Sequence, residues 1–221
     1  MKIPLCIFTI NSLIMLTMNT LQIKTIVVGY LDTNCYVLNA AGRNRAVIID
    51  PGGNSSRIIG YLEEQELELE KVLLTHGHND HIGALHGLLH RWNVPVLLHE
   101  KEAEFLNIPR TERTPYAREE QKQGFNVLRD GDIVDFEENE IKVLYTPGHT
   151  PGGVCFLFNG FCFTGDTLFN DGVGRTDFEG GDRISIITSI KEKLLSLDDE
   201  IEILPGHGPA STIGCERRYF D

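Results

Sequence analysis

Short apolar runs alternate with polar, turn-forming stretches, and their spacing predicts two strand-rich halves, each followed by helices. In the first half strands are expected at Gln22–Val28, Asn34–Asn39 and Ala46–Asp50, followed by a helix at Asn54–Glu66. A strand at Lys71–Leu74, a helix at His81–Arg91 and a strand at Val94–His99 come next. A helix at Glu100–Leu106 opens into a polar, mixed-charge segment, Asn107–Gly124. The second half begins at the turn Asp130-Gly131-Asp132 and holds strands at Ile141–Tyr145, Gly153–Phe158 and Gly160–Phe163. A helix at Asp182–Leu197 and a strand at Glu202–Leu204 complete it. Two such halves predict two sheets face to face with helices outside, an α/β fold in the form of a four-layer αββα sandwich. Val47–Asp50 and Phe161–Asp166, both apolar strands ending in Asp, form a faint internal echo.

The first residues break this pattern. Met1-Lys2 precedes Ile3–Met18, which is uncharged and rich in Ile, Leu and Met but interrupted by Pro4, Asn11 and Ser12. It is short for a membrane span. With Lys2 as a thin basic head it reads as a secretion signal, although no small-x-small cleavage site follows. The other reading is an upstream start, with the working chain beginning at Met18. Residues 1–18 are therefore expected as an N-terminal extension and residues 19–221 as a single domain. A length of 221 residues with 41% hydrophobic composition allows a substantial core, and no Ser/Gly-rich or Pro-rich linker divides it. The net charge of −12 speaks against a nucleic-acid-binding surface. No stable membrane association is expected. Cys6, Cys35, Cys155, Cys162 and Cys215 are odd in number and lack CxxC spacing. They are expected to be reduced and mostly buried, which favours the cytoplasm, with export as the alternative if residues 1–18 are a signal.

The candidate chemistry is concentrated at Thr75-His76-Gly77-His78-Asn79-Asp80-His81, directly after an apolar strand. Imidazole and carboxylate are the usual nitrogen and oxygen ligands of zinc, iron and manganese. Four of them exceed what one catalytic metal takes from a protein, since such a metal keeps a position open. The cluster therefore predicts two metals in one pocket. His149, in Pro147-Gly148-His149-Thr150-Pro151-Gly152, and His207, in Pro205-Gly206-His207-Gly208-Pro209, lie in tight Pro/Gly turns after strands. Asp166 ends the run Gly160–Phe163. Together these supply the ligands a dinuclear site still lacks.

The pattern His76-x-His78-x-Asp80-His81, His149, Asp166 and His207 resembles the metallo-β-lactamase-fold hydrolases, and within them the short glyoxalase II-like branch. Ala46-Val47-Ile48-Ile49-Asp50-Pro51-Gly52 and the stretch from Gly165 to Asp177 extend the resemblance over about residues 21–214. It implies an αββα sandwich of that family's type. It also implies one metal on His76, His78 and His149, another on Asp80, His81 and His207, and Asp166 between them. Flavodiiron relatives usually carry an acidic residue where this chain has His78.

The implied activity is cleavage of a thioester or related small ester by water that two divalent ions activate, zinc first, with iron and manganese as alternatives. Asp80 would aim that water. Arg175 would hold an anionic substrate, or pair with Asp177 to stiffen the loop. The helical extension by which full glyoxalase II enzymes grip glutathione has no counterpart here, so the exact substrate stays open, as does the oligomeric state. The runner-up is a persulfide dioxygenase-like protein with one iron on His76, His149 and Asp166. A non-catalytic binding module would have little use for a full ligand set. Other polar residues receive plainer readings. His86 and His90 are expected exposed on their helix, His99 without a chemical role, and Glu63–Glu70 as a solvated helix face and turn. Asp50 is expected to orient the ligand loops through hydrogen bonds.

Overall fold

The computed structural model describes residues 21–106 and 125–220. The expected N-terminal extension and the whole polar segment expected at Asn107–Gly124 lie outside the described residues. Every position of Thr33–Ala40 is buried, so this strand needs cover on both faces. The chain supplies it with two sheets and two outer helical layers.

The first sheet is built from β1 (Leu21–Val28), β2 (Thr33–Ala40), β3 (Arg45–Ile49), β4 (Glu68–Leu73), β5 (Val96–His99) and β6 (Phe125–Leu128), in that spatial order. Its first three strands pair antiparallel, and β3 to β6 run parallel. Between them lie α1 (Ser55–Glu64), α2 (Asn79–Ile82), α3 (Leu85–Arg91) and α4 (Glu100–Phe105). The second half contributes β7 (Ile133–Phe136), β8 (Asn139–Tyr145), β9 (Val154–Phe158), β10 (Phe161–Gly165) and the small hairpin β11 (Leu168–Phe169)–β12 (Gly172–Val173). Then come α5 (Arg183–Ser189), which continues as a π-helical stretch over Ile190–Leu194, β13 (Glu202–Pro205), β14 (Ser211–Thr212) and α6 (Ile213–Arg217). The second sheet has the order β14-β13-β10-β9-β8-β7, with β10 and β13 parallel.

Burial separates three apolar layers. Between the sheets, Tyr36, Leu38, Ile49 and Leu73 meet Phe136, Val143, Phe156 and Phe163. Behind the first sheet, Ile58, Leu62, Leu85 and Leu88 cover Val37, Ile48 and Val72. Behind the second, Ile186, Ile190, Leu194 and Ile213 cover Cys155, Cys162 and Ile203. The architecture is the expected αββα sandwich.

Several boundaries differ from the sequence expectation. The helix expected at His81–Arg91 is two helices, because Ala84 N donates to Pro51 O (2.9 Å) and bends the chain there. β4 starts at Glu68, so part of the acidic run is strand, with Glu68 exposed and Leu69 buried. β6, β7 and β14 were not anticipated. The β7–β8 turn at Glu137-Glu138 carries no Gly, Asn or Pro, although Glu137 adopts φ 53°. Cys35, Cys155 and Cys162 are buried, Cys215 is exposed, and none forms a disulfide among the described residues. No helix among the described residues is long and apolar enough to cross a membrane.

Candidate metal centre

Strand ends from both sheets deliver the candidate ligands to one rim. His76 to His81 follow β4, His149 follows β8, Asp166 follows β10 and His207 follows β13. The His207 turn is fastened across the sandwich to β2. Asn34 N donates to Gly206 O (2.7 Å), Asn34 Nδ2 to Pro205 O (3.0 Å), and the Tyr36 hydroxyl also to Pro205 O (2.6 Å).

All seven sequence-predicted residues come together, in two triads. In the first, His78 Nδ1 lies 3.1 Å from His76 Nε2 and 2.9 Å from His149 Nε2. In the second, His207 Nε2 lies 3.3 Å from His81 Nε2 and 3.2 Å from Asp80 Oδ2. Asp166 stands between them, with Oδ2 3.4 Å from His149 Nε2 and Oδ1 3.3 Å from His81 Nε2. Donors bound to one ion at 2.0–2.1 Å sit roughly 3 Å apart, which these spacings match.

The tautomers fit a metal as well. His149 Nδ1 donates to the Arg175 carbonyl (2.7 Å) and His207 Nδ1 to the Leu31 carbonyl (3.0 Å). His81 Nδ1 donates to Asp50 Oδ2 (2.9 Å). The Thr75 hydroxyl gives its proton to Asp50 Oδ2 (2.6 Å), so it accepts from His76 Nδ1 (3.1 Å). Four rings therefore have their outer nitrogens committed as donors, and in the neutral form their Nε2 lone pairs converge on the centre. Buried Asp166 Oδ1 accepts no hydrogen bond among the described residues. Converging lone pairs beside an orphaned carboxylate oxygen suit a cation.

The electrostatics differ between the halves. Burial, then the neighbouring imidazoles, hold His76 well below its ordinary pKa, so it is a neutral donor. Burial also disfavours charge on His81, yet the Asp50 and Asp166 carboxylates outweigh it and push the ring up to about 10. Asp80 is likewise opposed by burial, but its hydrogen bond with His207 and the charge of His81 bring it down to about 2. The Asp50 and Asp166 carboxylates thus favour a proton on His81, which a metal bound there must displace.

Asp50 is buried and spends its oxygens on Thr75 N (2.8 Å), the Thr75 hydroxyl and His81, the orienting role expected of it. His86 and His90 are exposed. His99 is buried, stacks on Tyr145 (4.2 Å between centroids) and caps α4 by accepting from Lys101 N. The Arg175 guanidinium is exposed, binds both oxygens of Asp177 (2.9 and 2.7 Å) and lies 4.2 Å over the Phe178 ring. That is the loop-stiffening pair; Arg175 also lines the mouth of a cavity of about 800 Å³ that opens onto the centre, beside Tyr30, Leu31, Phe169 and Phe178. The orienting carbonyls of Arg175 and Leu31 carry no side-chain signal in the sequence, and neither does buried Glu102, whose carboxylate accepts from Gly77 N and Gly152 N between the ligand loops. If Arg175 also holds substrate, Arg175→Ala should raise KM for an anionic thioester by roughly fivefold, the modest effect of an exposed charge, with kcat nearly unchanged. Steady-state kinetics on one substrate decide this, and a loss confined to kcat would contradict it.

The family model described as the metallo-beta-lactamase superfamily matches residues 28–207. The hydroxyacylglutathione hydrolase GloC of Haemophilus influenzae is 38% identical over 212 residues, covering 90% of this chain and 96% of that protein. Among solved structures, the BLEG-1 B3 metallo-beta-lactamase is 35% identical with a TM-score of 0.78, covering 89% of this chain and 97% of its own. ETHE1 from Myxococcus xanthus is 28% identical (TM-score 0.75; 90% and 83% covered). TTHA1623, solved in a di-iron-bound form, is 31% identical (TM-score 0.73; 88% and 97% covered).

Proposed function

Because this chain belongs to the metallo-β-lactamase superfamily, we propose that it is a dinuclear metal-dependent hydrolase of the glyoxalase II-like kind, acting on a thioester or related small ester. One observation carries the reading: the two oxygens of Asp166 face different triads, Oδ2 toward His149 and Oδ1 toward His81. A mononuclear site on His76, His149 and Asp166 would leave Asp80, His81 and His207 gathered without purpose.

His76, His78 and His149 would hold one ion, Asp80, His81 and His207 the other, and Asp166 both. Two bound divalent ions supply an activated water near neutral pH and a Lewis acid for a carbonyl oxygen. The chain's own residues do the rest. Asp80, ionised at any physiological pH, points Oδ2 toward the centre and can accept a hydrogen bond from the attacking water, fixing its direction. The buried wall formed by His76, His81 and Asp50 keeps bulk water from that side. Tyr30, Leu31, Phe169 and Phe178 offer apolar surface to the body of a small substrate. A thiolate leaves with little need of protonation, which suits a centre whose inner groups are all committed as ligands.

Zinc is the ion proposed, and the di-iron neighbour makes iron the alternative to be tested. The four described cysteines form no disulfide, which supports a reducing, cytoplasmic setting. The proposed partner is the small substrate, and the net charge of −12 argues against nucleic acid. Elemental analysis of the purified protein, with assays on thioester, lactone, β-lactam and phosphodiester substrates, tests this reading. About two ions per chain and fastest turnover of a thioester are expected. A single tightly bound iron, with oxygen consumption on glutathione persulfide, would replace it with the dioxygenase reading.

A further inference from the structure

Glu102 belongs to neither triad, yet it is 1% exposed and joins the two loops that carry the first one. Its Oε1 accepts from Gly77 N (2.9 Å), the amide between His76 and His78. Its Oε2 accepts from the Thr150 hydroxyl (2.7 Å) and Gly152 N (2.9 Å), just past His149. Burial pushes the Glu102 carboxyl above its ordinary pKa, while the three donors oppose that shift, since a protonated acid would have to turn one oxygen into a donor. The loops also approach α4 closely. A Cβ on Gly152 would stand 2.0 Å from Glu102 N, so only glycine lets this backbone lie against the helix.

The helix is fastened from the same side. His99 caps it and stacks on Tyr145, and the Tyr145 hydroxyl donates to Pro151 O (2.8 Å) in the His149 loop. The halves of the centre also differ in charge. The second triad contains Asp80 and has Asp50 behind His81, whereas the first consists of three imidazoles. Glu102 is a buried carboxylate behind the loops of the first triad, in addition to Asp166 Oδ2, which faces His149 directly.

We propose that Glu102 is the positioning residue of the first triad, a buried carboxylate that fixes the His76–His78 loop against the His149 loop and so sets the metal affinity of that half alone. The proposal rests on the two-metal reading above. It is tested by zinc competition against a chromophoric chelator, using full-length protein in two backgrounds. His207→Ala leaves only the first triad complete, and His78→Ala only the second. In Glu102→Gln an amide NH₂ must face one of the three donors. The expected result is a loss of about 10- to 100-fold in zinc affinity in the first background, with under about threefold in the second, as the site-specific role requires. Equal losses in both backgrounds would mean general structural damage and would overturn the proposal, as would no loss in the first. Should Glu102→Gln fail to fold, Thr150→Val removes only one of the three bonds and must show the same asymmetry at smaller amplitude; symmetric or absent effects count against the proposal equally. Wild-type protein that takes up one ion would overturn the two-metal reading instead, while the His207→Ala comparison would still decide the role of Glu102.

Discussion

Replacing Gly206 with alanine is expected to empty the centre of metal, and so abolish hydrolysis, while the sandwich stays folded. A Cβ at this position would lie 2.4 Å from Asp166 Oδ1, 2.7 Å from His81 Cε1 and 3.2 Å from the backbone carbon of Gly165. Something must move, and the turn itself is poorly placed to do so. Gly206 N donates to Gly165 O (2.8 Å), and Asn34 grips the same turn through Gly206 O, Pro205 O and Gly208 O. The Asp166 carboxylate and the His81 ring therefore yield, which displaces the oxygen that faces the second triad and, with it, the carboxylate that stands between the two. The overpacking itself costs about 1–3 kcal/mol. Metal content after dialysis, read beside thermal denaturation in chelator, checks the expectation. A Gly206→Ala protein that keeps about two ions and normal turnover would show that the centre tolerates a methyl group in its midst, contrary to this geometry.

Asp50→Ala is expected to do the larger damage to stability. The substitution strands Thr75 N, the Thr75 hydroxyl and His81 Nδ1, all inside a site where Asp50 is 2% exposed. Each stranded group costs about 1–3 kcal/mol, and alanine adds about 1 kcal/mol at a left-handed φ of 51° that Asp tolerates better. Partial relaxation leaves roughly 3–5 kcal/mol, or about 10 °C in Tm for a chain of this size. His81 also loses the group that fixes its tautomer, so zinc affinity falls with stability. Asp50→Asn, which keeps the backbone preference and one acceptor, should fall between. Denaturation curves of the two variants that coincide with wild type would remove Asp50 from its assigned role.

Much of this was legible in the chain because the ligands lie close together or in marked turns. His76 to His81 crowd one loop, and His149 and His207 each sit among Pro and Gly. Asp50 was legible for a similar reason, as the polar end of an apolar strand. Glu102 was not. In Glu100-Lys101-Glu102 it looks like any acid in a helical first turn, and only the fold turns it inward while Lys101 stays exposed. The break between α2 and α3 was equally silent, since it is imposed by Pro51 O from another loop. The edge strands β6 and β14 escaped because they bury little. Phe125–Leu128 has a single buried residue, so no alternation marks it.

The carbonyls that orient His149 and His207 belong to Arg175 and Leu31, whose side chains stand at the cavity mouth. Each of these residues thus orients an imidazole through its main chain while its side chain lines the cavity. Any amino acid at either position still offers the same carbonyl. Substitution can therefore redraw the mouth while both imidazoles keep their partners, which gives this scaffold a route to new substrates that leaves its reaction intact.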